Sequence, residues 1–231
     1  NKICKHYRRQ IPVITAFDNK WKGNLKQVVA SLVSPFTIKK YFSHCFVPGE
    51  QQFKYALKLG FDKRTILTGL YSADVDFFAK QYKHNKTEKE KNFPKRFIYV
   101  GRYYEFKGIT DLWEAFAQLQ QENPNEWELW CFGTGDLPGY QHPKIKHFGF
   151  VQAEEQKQYI AQTGVFVLPS RFEPWAVVVH EYAAAGFPLI LSEEVGARTL
   201  FLQEGKNGFS FKSGHIEELK NALRKMMNLS D

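Results

Sequence analysis

Residues 165–192 read VFVLPSRFEPWAVVVHEYAAAGFPLILS. The stretch opens on an apolar run at 165–169, crosses a polar turn, continues as an almost wholly apolar segment at 175–185, and closes on a second apolar run at 188–191. Short runs without alternation, bounded by Pro and Gly, suit strands buried on both faces of a parallel sheet. The longer segment between them suits a crossover helix. This strand–helix–strand unit decides the fold class, because parallel strands need such crossovers.

The same rhythm extends both ways. Downstream lie a strand at 208–211 and a closing helix at 216–227. Upstream lie strands at 97–101, 128–132 and 144–150, and helices at 110–121 and 154–161; Leu112, Phe116 and Leu119 share one face of the first helix. Residues 96–231 thus read as a complete doubly wound α/β domain. Residues 79–95, which include KQYKHNKTEKEKNFPK, are polar, charged and without hydrophobic periodicity, and read as an exposed interdomain linker.

Before this linker, strands are expected at 11–16, 41–47 and 65–69. A partly helical stretch at 25–40 is limited by Pro35, and a helix at 50–59 is closed by Gly60. Residues 1–78 hold too few strands for a complete domain. The chain also starts at Asn1, so the missing strands are expected upstream of it.

The chain has 231 residues, 43% hydrophobic and 16% aromatic, with 21 Phe and a formal charge of +8. A basic excess favours an anionic partner. The Lys and Arg residues look spread along the chain, with no zinc knuckle, basic zipper or RNA-binding signature, so a nucleic-acid partner is not expected. A positive face resting on anionic lipid fits better. Three distant cysteines, Cys4, Cys45 and Cys131, suggest neither a disulfide framework nor a metal site, so a reducing, cytoplasmic setting is expected. No apolar run approaches the ~18 residues needed to span a bilayer, so any membrane contact would be peripheral, on the inner face.

Ligands of open α/β sheets sit beyond the carboxyl ends of the strands. Three loops there carry chemistry. The first, GRYYEFKG at 101–108, offers Arg102 and Lys107 between Gly101 and Gly108. A forked guanidinium and a point charge could hold a diphosphate, or both could pair with Glu105. The second loop, RFEPWAVVVHE at 171–181, places Pro174 at the expected first helical turn and Glu173 at its mouth. The backbone N–H groups of Trp175, Ala176 and Val177 would then form an anion site. Glu181 lies two turns along an apolar helix and needs a partner, either ligand hydroxyls or an internal salt bridge. His180 should face elsewhere. The third loop is the glycine-rich turn at Gly133 and Gly135, which lacks the Lys and Ser/Thr of a Walker loop.

The order GRxxxxKG, GTGD, HFGFV, VFVLPS, the Glu173–Glu181 block and AAAGFPLI resembles retaining glycosyltransferases of family 4, which have the GT-B fold. The likeness covers residues 96–227. It implies a metal-independent hexosyl transfer, with retained configuration, from a UDP-, GDP- or ADP-sugar donor to a saccharide or lipid-linked acceptor hydroxyl in polysaccharide or glycolipid assembly, with no cofactor. It implies that Arg102 and Lys107 bind the donor diphosphate, Glu173 contacts the sugar and Glu181 binds the ribose. Backbone near Phe150 and Val151 would meet the base. Residues 1–78 would then be the later part of an incomplete, Rossmann-like acceptor-side domain.

Two departures stand out. The family usually has Gly where this chain has Ala176, and a Gly-Gly pair is here Gly196-Ala197. Where the family often carries a His after the first strand, this chain has Asp18, a candidate polar group near the reaction centre. Asp74-Val75-Asp76 invites a metal-binding reading, but its neighbours match the GT-B interdomain segment better. A GT-B-fold nucleotide-sugar epimerase and a non-catalytic nucleotide-sugar-binding fragment remain as alternatives.

Overall fold

The computed structural model describes residues 2–229. The chain forms two compact units, residues 1–72 and 73–231. The first contains α1 (Lys2–Tyr7), β1 (Ile14–Ala16), α2 (Leu25–Val33), α3 (Ile38–Tyr41), β2 (His44–Val47), α4 (Glu50–Lys58) and β3 (Ile66–Thr68). Its three strands pair in parallel in the order β1-β2-β3. Cys45, Val47, Tyr55, Ala56, Leu59, Phe61 and Ile66 form its buried core. Pro35 does end α2, through a 3₁₀ turn at Ser34–Phe36.

The second unit runs α5 (Val75–Lys91), β4 (Arg96–Val100), α6 (Ile109–Glu122), β5 (Glu128–Phe132), β6 (Ile145–His147), α7 (Lys157–Gln162), β7 (Val165–Leu168), α8 (Val177–Ala184), β8 (Leu189–Ser192), α9 (Arg198–Phe201), β9 (Gly208–Phe211) and α10 (Ile216–Asn228). Its six strands are all parallel, ordered β6-β5-β4-β7-β8-β9. From β4 the chain winds outward to β6, then returns to β7 and winds outward the other way. Right-handed crossovers in opposite directions place helices on opposite faces. Accordingly α6 packs with α10, while α5 packs with α7 and α8. Strands β7 and β8 are buried at every residue, as their unbroken apolar runs require. This is the Rossmann-like order, with its switch point between β4 and β7.

Two sequence expectations need correction. Segment 79–95 is largely helical, not an irregular connector: α5 runs through Lys91. Asp74 caps it by accepting from the Phe77 amide (3.0 Å), Phe78 is fully buried and reaches the Tyr182 ring, and Lys86 pairs with Glu90 one turn on. Lys- and Glu-rich stretches have good helix propensity, and here one aromatic anchor replaces an apolar stripe. The helix after β7 starts at Val177, so Pro174 precedes it rather than occupying its first turn. The cause is Ala176, which has φ 81° and ψ 87° and is the one non-glycine residue at positive φ among those described.

Candidate functional site

At the switch point, the loops after β4 and β7 rise side by side. They are built into one another. Gly108 adopts φ 63°, and a Cβ there would lie 2.2 Å from the Pro169 carbonyl oxygen. The Arg171 and Phe172 amides both donate to the Phe106 carbonyl (2.9 and 3.0 Å). Arg171 also grips the buried Asp111 carboxylate, at the start of α6, with two donors (2.9 and 2.5 Å). Such a forked pair fixes orientation as well as distance. Sequence reading missed this clamp, because an acid in a helix's first turn usually signals only a favourable dipole contact.

This scaffold brings Lys107 and Glu173 together. The Lys107 ammonium donates to Glu173 Oε2, with both side chains mostly buried. Ser170, wholly buried, donates its hydroxyl to the same oxygen (3.2 Å), and Ser192 in turn donates to the Ser170 carbonyl (2.5 Å). Neither Arg102 nor Lys107 pairs with Glu105; that carboxylate lies 3.6 Å from Arg171. Arg102 is exposed, its guanidinium 5.2 Å from the Tyr104 ring centroid, and has no ion pair among the described residues. Its backbone is held by the Tyr99 hydroxyl, which donates to the Arg102 carbonyl (2.9 Å).

Loop 173–176 is laced to the turn after β8. The Gly196 amide donates to Glu173 O (3.0 Å) and the Ala197 amide to Trp175 O (2.9 Å). A Cβ on Gly196 would sit 1.9 Å from the Pro174 carbonyl oxygen, so backbones approach too closely for any side chain. The Trp175 side chain is buried and donates through its indole N–H to His180 Nε2 (2.8 Å). His180 is therefore not merely turned away: it accepts this bond in the core, and burial lowers its pKa. Helix α8 then begins at Val177, and its N-terminal turn, the positive end of its dipole, faces this loop.

Glu181 is half-buried on α8, and among the described residues its carboxylate has neither an ion-pair nor a hydrogen-bond partner. The internal salt bridge weighed from sequence does not form. Burial raises its pKa, and the Asp74 carboxylate raises it further. A partly buried carboxylate without a donor is uncommon and marks a place where one can be supplied.

Gly133 and Gly135 fit a different need. A Cβ on Gly133 would meet Gly101 O at 1.9 Å, and one on Gly135 would meet Tyr103 O at 2.3 Å. The Tyr103 amide donates to Thr134 O (3.0 Å), so the glycine-rich turn packs directly on the Arg102 loop. Beyond β6, the Gly149 carbonyl accepts from Gly133 N (2.7 Å), Phe150 is highly exposed, and the Val151 carbonyl accepts from Gln156 (3.3 Å). Asp18 belongs to the first unit, where its carbonyl accepts from Gln52 (2.9 Å). All of Arg102, Lys107, Glu173 and Glu181 belong to the second unit, and of these four Lys107 and Glu173 are in direct contact.

Fold and site define a Rossmann-like unit whose two switch-point loops meet through Lys107 and Glu173, with Arg102 exposed on the first of them. Residues 94–228 match the family described as glycosyl transferases group 1, more than half of the chain, and the protein belongs to that family. It is similar to the lipopolysaccharide core biosynthesis glycosyltransferase LpsE of Rhizobium meliloti, 27% identical over 135 residues, covering 55% of this chain and 38% of that protein. It is also similar to the glycogen synthase of Mycobacterium tuberculosis, 28% identical over 144 residues, 58% of this chain and 34% of that one. Among solved structures, HepE of Anabaena in complex with UDP superposes with a TM-score of 0.72 at 16% identity, over 96% of this chain and 64% of that one. These neighbours share the GT-B fold. The chain spans less than two thirds of the length of each of these relatives.

Proposed function

We propose that the switch-point crevice binds a nucleotide diphosphate sugar, UDP-, GDP- or ADP-linked, and that the protein is a retaining glycosyltransferase of family 4. It moves a hexosyl group to an acceptor hydroxyl on a saccharide or lipid-linked acceptor. The observation that carries this reading is the meeting of the two switch-point loops through Lys107 and Glu173, on a loop that also exposes Arg102, which has no anionic partner among the described residues. A diphosphate is the anion that suits a guanidinium, an ammonium and a helix N-terminus together. The Anabaena HepE structures with UDP and with UDP-glucose support a donor of that class.

The transition state builds positive charge on the sugar and negative charge on the departing diphosphate. Arg102, Lys107 and the start of α8 stabilise the leaving group, which supplies by side chains and dipole the charge that a divalent cation would supply elsewhere. Glu173, already holding Lys107, positions that ammonium and meets the sugar. Glu181 takes its missing donors from the ribose hydroxyls. Backbone at Phe150 and Val151 contacts the base, and Gly101, Gly133 and Gly135 let the loops close around the phosphates. The Ala176 and Val177 amides sit at the helix start; Asp18 is the acceptor-side candidate.

The test is release of nucleoside diphosphate with sugar transfer to an added acceptor, in the presence of a chelator. Arg102→Ala and Lys107→Ala should each lower kcat by about 10²–10³, the usual loss when one oxyanion donor is removed. Full activity in both variants, or activity abolished by the chelator alone, contradicts the mechanism. Conversion of the donor sugar without transfer would favour the epimerase alternative.

A further inference from the structure

Trp175 and His180, both buried, close their hydrogen bond across Ala176, the one described non-glycine residue at positive φ. An indole N–H is a donor only, so its 2.8 Å bond to Nε2 requires an imidazole that carries no proton there. A neutral His180 with its proton on Nδ1 meets this need. An imidazolium would set donor against donor. Phe201 of α9 fixes the same ring by stacking on it, with centroids 4.5 Å apart and planes 30° apart.

The bond reaches beyond the pair. The Trp175 carbonyl accepts from the Ala197 amide, the Glu173 carbonyl accepts from the Gly196 amide, and Glu173 and Val195 form a parallel bridge. Loop 173–176 is thus held by the turn after β8 through its backbone and by His180 through a side chain. An alanine at positive φ persists only where its surroundings over-determine it, and these contacts are those surroundings. The loop so held carries Glu173 to the Lys107 ammonium. Charged residues on the elements packed around the ring are Glu173 on the loop, Glu181 on α8, Asp74 at the start of α5, and Glu193, Glu194 and Arg198 after β8. Burial, rather than any of these charges, lowers the His180 pKa.

We propose that His180 is a positioning residue: its unprotonated Nε2 holds the Trp175 indole and, through it, the loop that brings Glu173 to Lys107. A proton reverses this hold. With an imidazolium the acceptor is gone, the Trp175 N–H loses its bond in the core, and the loop opens. The link to glycosyl transfer rests on the donor reading of this loop; the hold itself does not. In the open loop His180 titrates in its ordinary range of about 6.5. Closure is therefore fully present above that pH and is lost as pH falls, by up to about tenfold per unit until the lowered pKa of the closed form is reached.

The test is amide hydrogen exchange of the full chain without ligand, read by NMR at pH about 7 and about 5.5, on either side of the ordinary histidine value. The reporters are the Gly196 and Ala197 amides, bonded to the loop carbonyls (3.0 and 2.9 Å). The control is Leu129, whose amide donates to the Lys144 carbonyl (2.8 Å) elsewhere in the same unit. On acidification, protection at both reporters should fall about tenfold relative to Leu129. His180→Gln, whose amide oxygen takes the place of Nε2 and does not titrate, should keep its protection at both pH values. His180→Phe keeps a ring against Phe201 but offers no acceptor. It should be about tenfold less protected than the parent near neutral pH and insensitive to acid, since a buried donor is left unsatisfied. Protection that ignores pH in the parent, its loss in His180→Gln at either pH, or a His180→Phe protein as protected as the parent would each overturn the proposal. The expected protections in a protein that no nucleotide sugar stabilises would support it and refute the donor reading alone.

Discussion

Ala176→Gly should stabilise the second unit. Ala176 is held at φ 81°, ψ 87°, where an L residue's Cβ crowds the carbonyl, at about 1–2 kcal/mol. Glycine removes that strain, but its freer unfolded chain returns about 0.4–1 kcal/mol. The Ala176 methyl is partly exposed and lies outside the core, so its loss leaves no cavity. The net gain is about 0.5–1 kcal/mol, or roughly 1–4 °C in Tm for a unit of this size. Ala176→Val is the matched control: a β-branched residue at this φ should lower stability by more than the parent's own strain. Calorimetry or urea denaturation of the three proteins reads both effects. A glycine variant less stable than the parent, or a valine variant equal to it, would refute the strain argument.

Further expectations follow from neighbouring residues. Gly196→Ala should lower the urea midpoint by an amount worth about 2 kcal/mol or more, because its Cβ would meet backbone that cannot step aside; an unchanged midpoint contradicts this. Burial and Asp74 hold the Glu181 pKa above its unfolded value, so the fold favours the protonated form and loses stability as pH rises through the folded pKa. Glu181→Gln should therefore raise Tm near neutral pH and change it little below the ordinary carboxylate range of about 4; an equal shift at both contradicts the sign. Burial also lowers the Lys89 pKa to about 8, although its ammonium donates to the Thr163 carbonyl (2.8 Å) and lies 4.0 Å over the Phe187 ring. Its acylation rate, followed by peptide mass, should level off above that pH; a rate still climbing toward the ordinary lysine range of about 10 contradicts it.

The strands of the second unit were legible because fully buried parallel strands leave continuous apolar runs, as at Val165–Leu168 and Leu189–Ser192. Their crossover rhythm carried the fold class as well. Helix α5 was hidden because it buries Phe78 and few other side chains, leaving a propensity signal but no stripe. The start of α8 was misread because nothing in the letter Ala announces a positive φ at residue 176. Motif order offered candidate residues, but not their partners. Lys107 finds Glu173 across 66 positions, and Arg171 finds Asp111 across 60, pairings set by strand order alone. That Glu181 has no partner among the described residues is likewise a property of packing.

The central claim is that Arg102, Lys107, Glu173 and Glu181 form the grip on a nucleotide diphosphate sugar. Thermal shift of the parent, Arg102→Ala and Glu181→Ala proteins against UDP-, GDP- and ADP-sugars tests it most directly. A donor at about 100 times its Kd adds about 2.7 kcal/mol, a rise of roughly 5–10 °C in the parent's Tm. The account predicts that rise with one nucleotide series and its loss in both variants. An undiminished rise in Arg102→Ala and Glu181→Ala would contradict it.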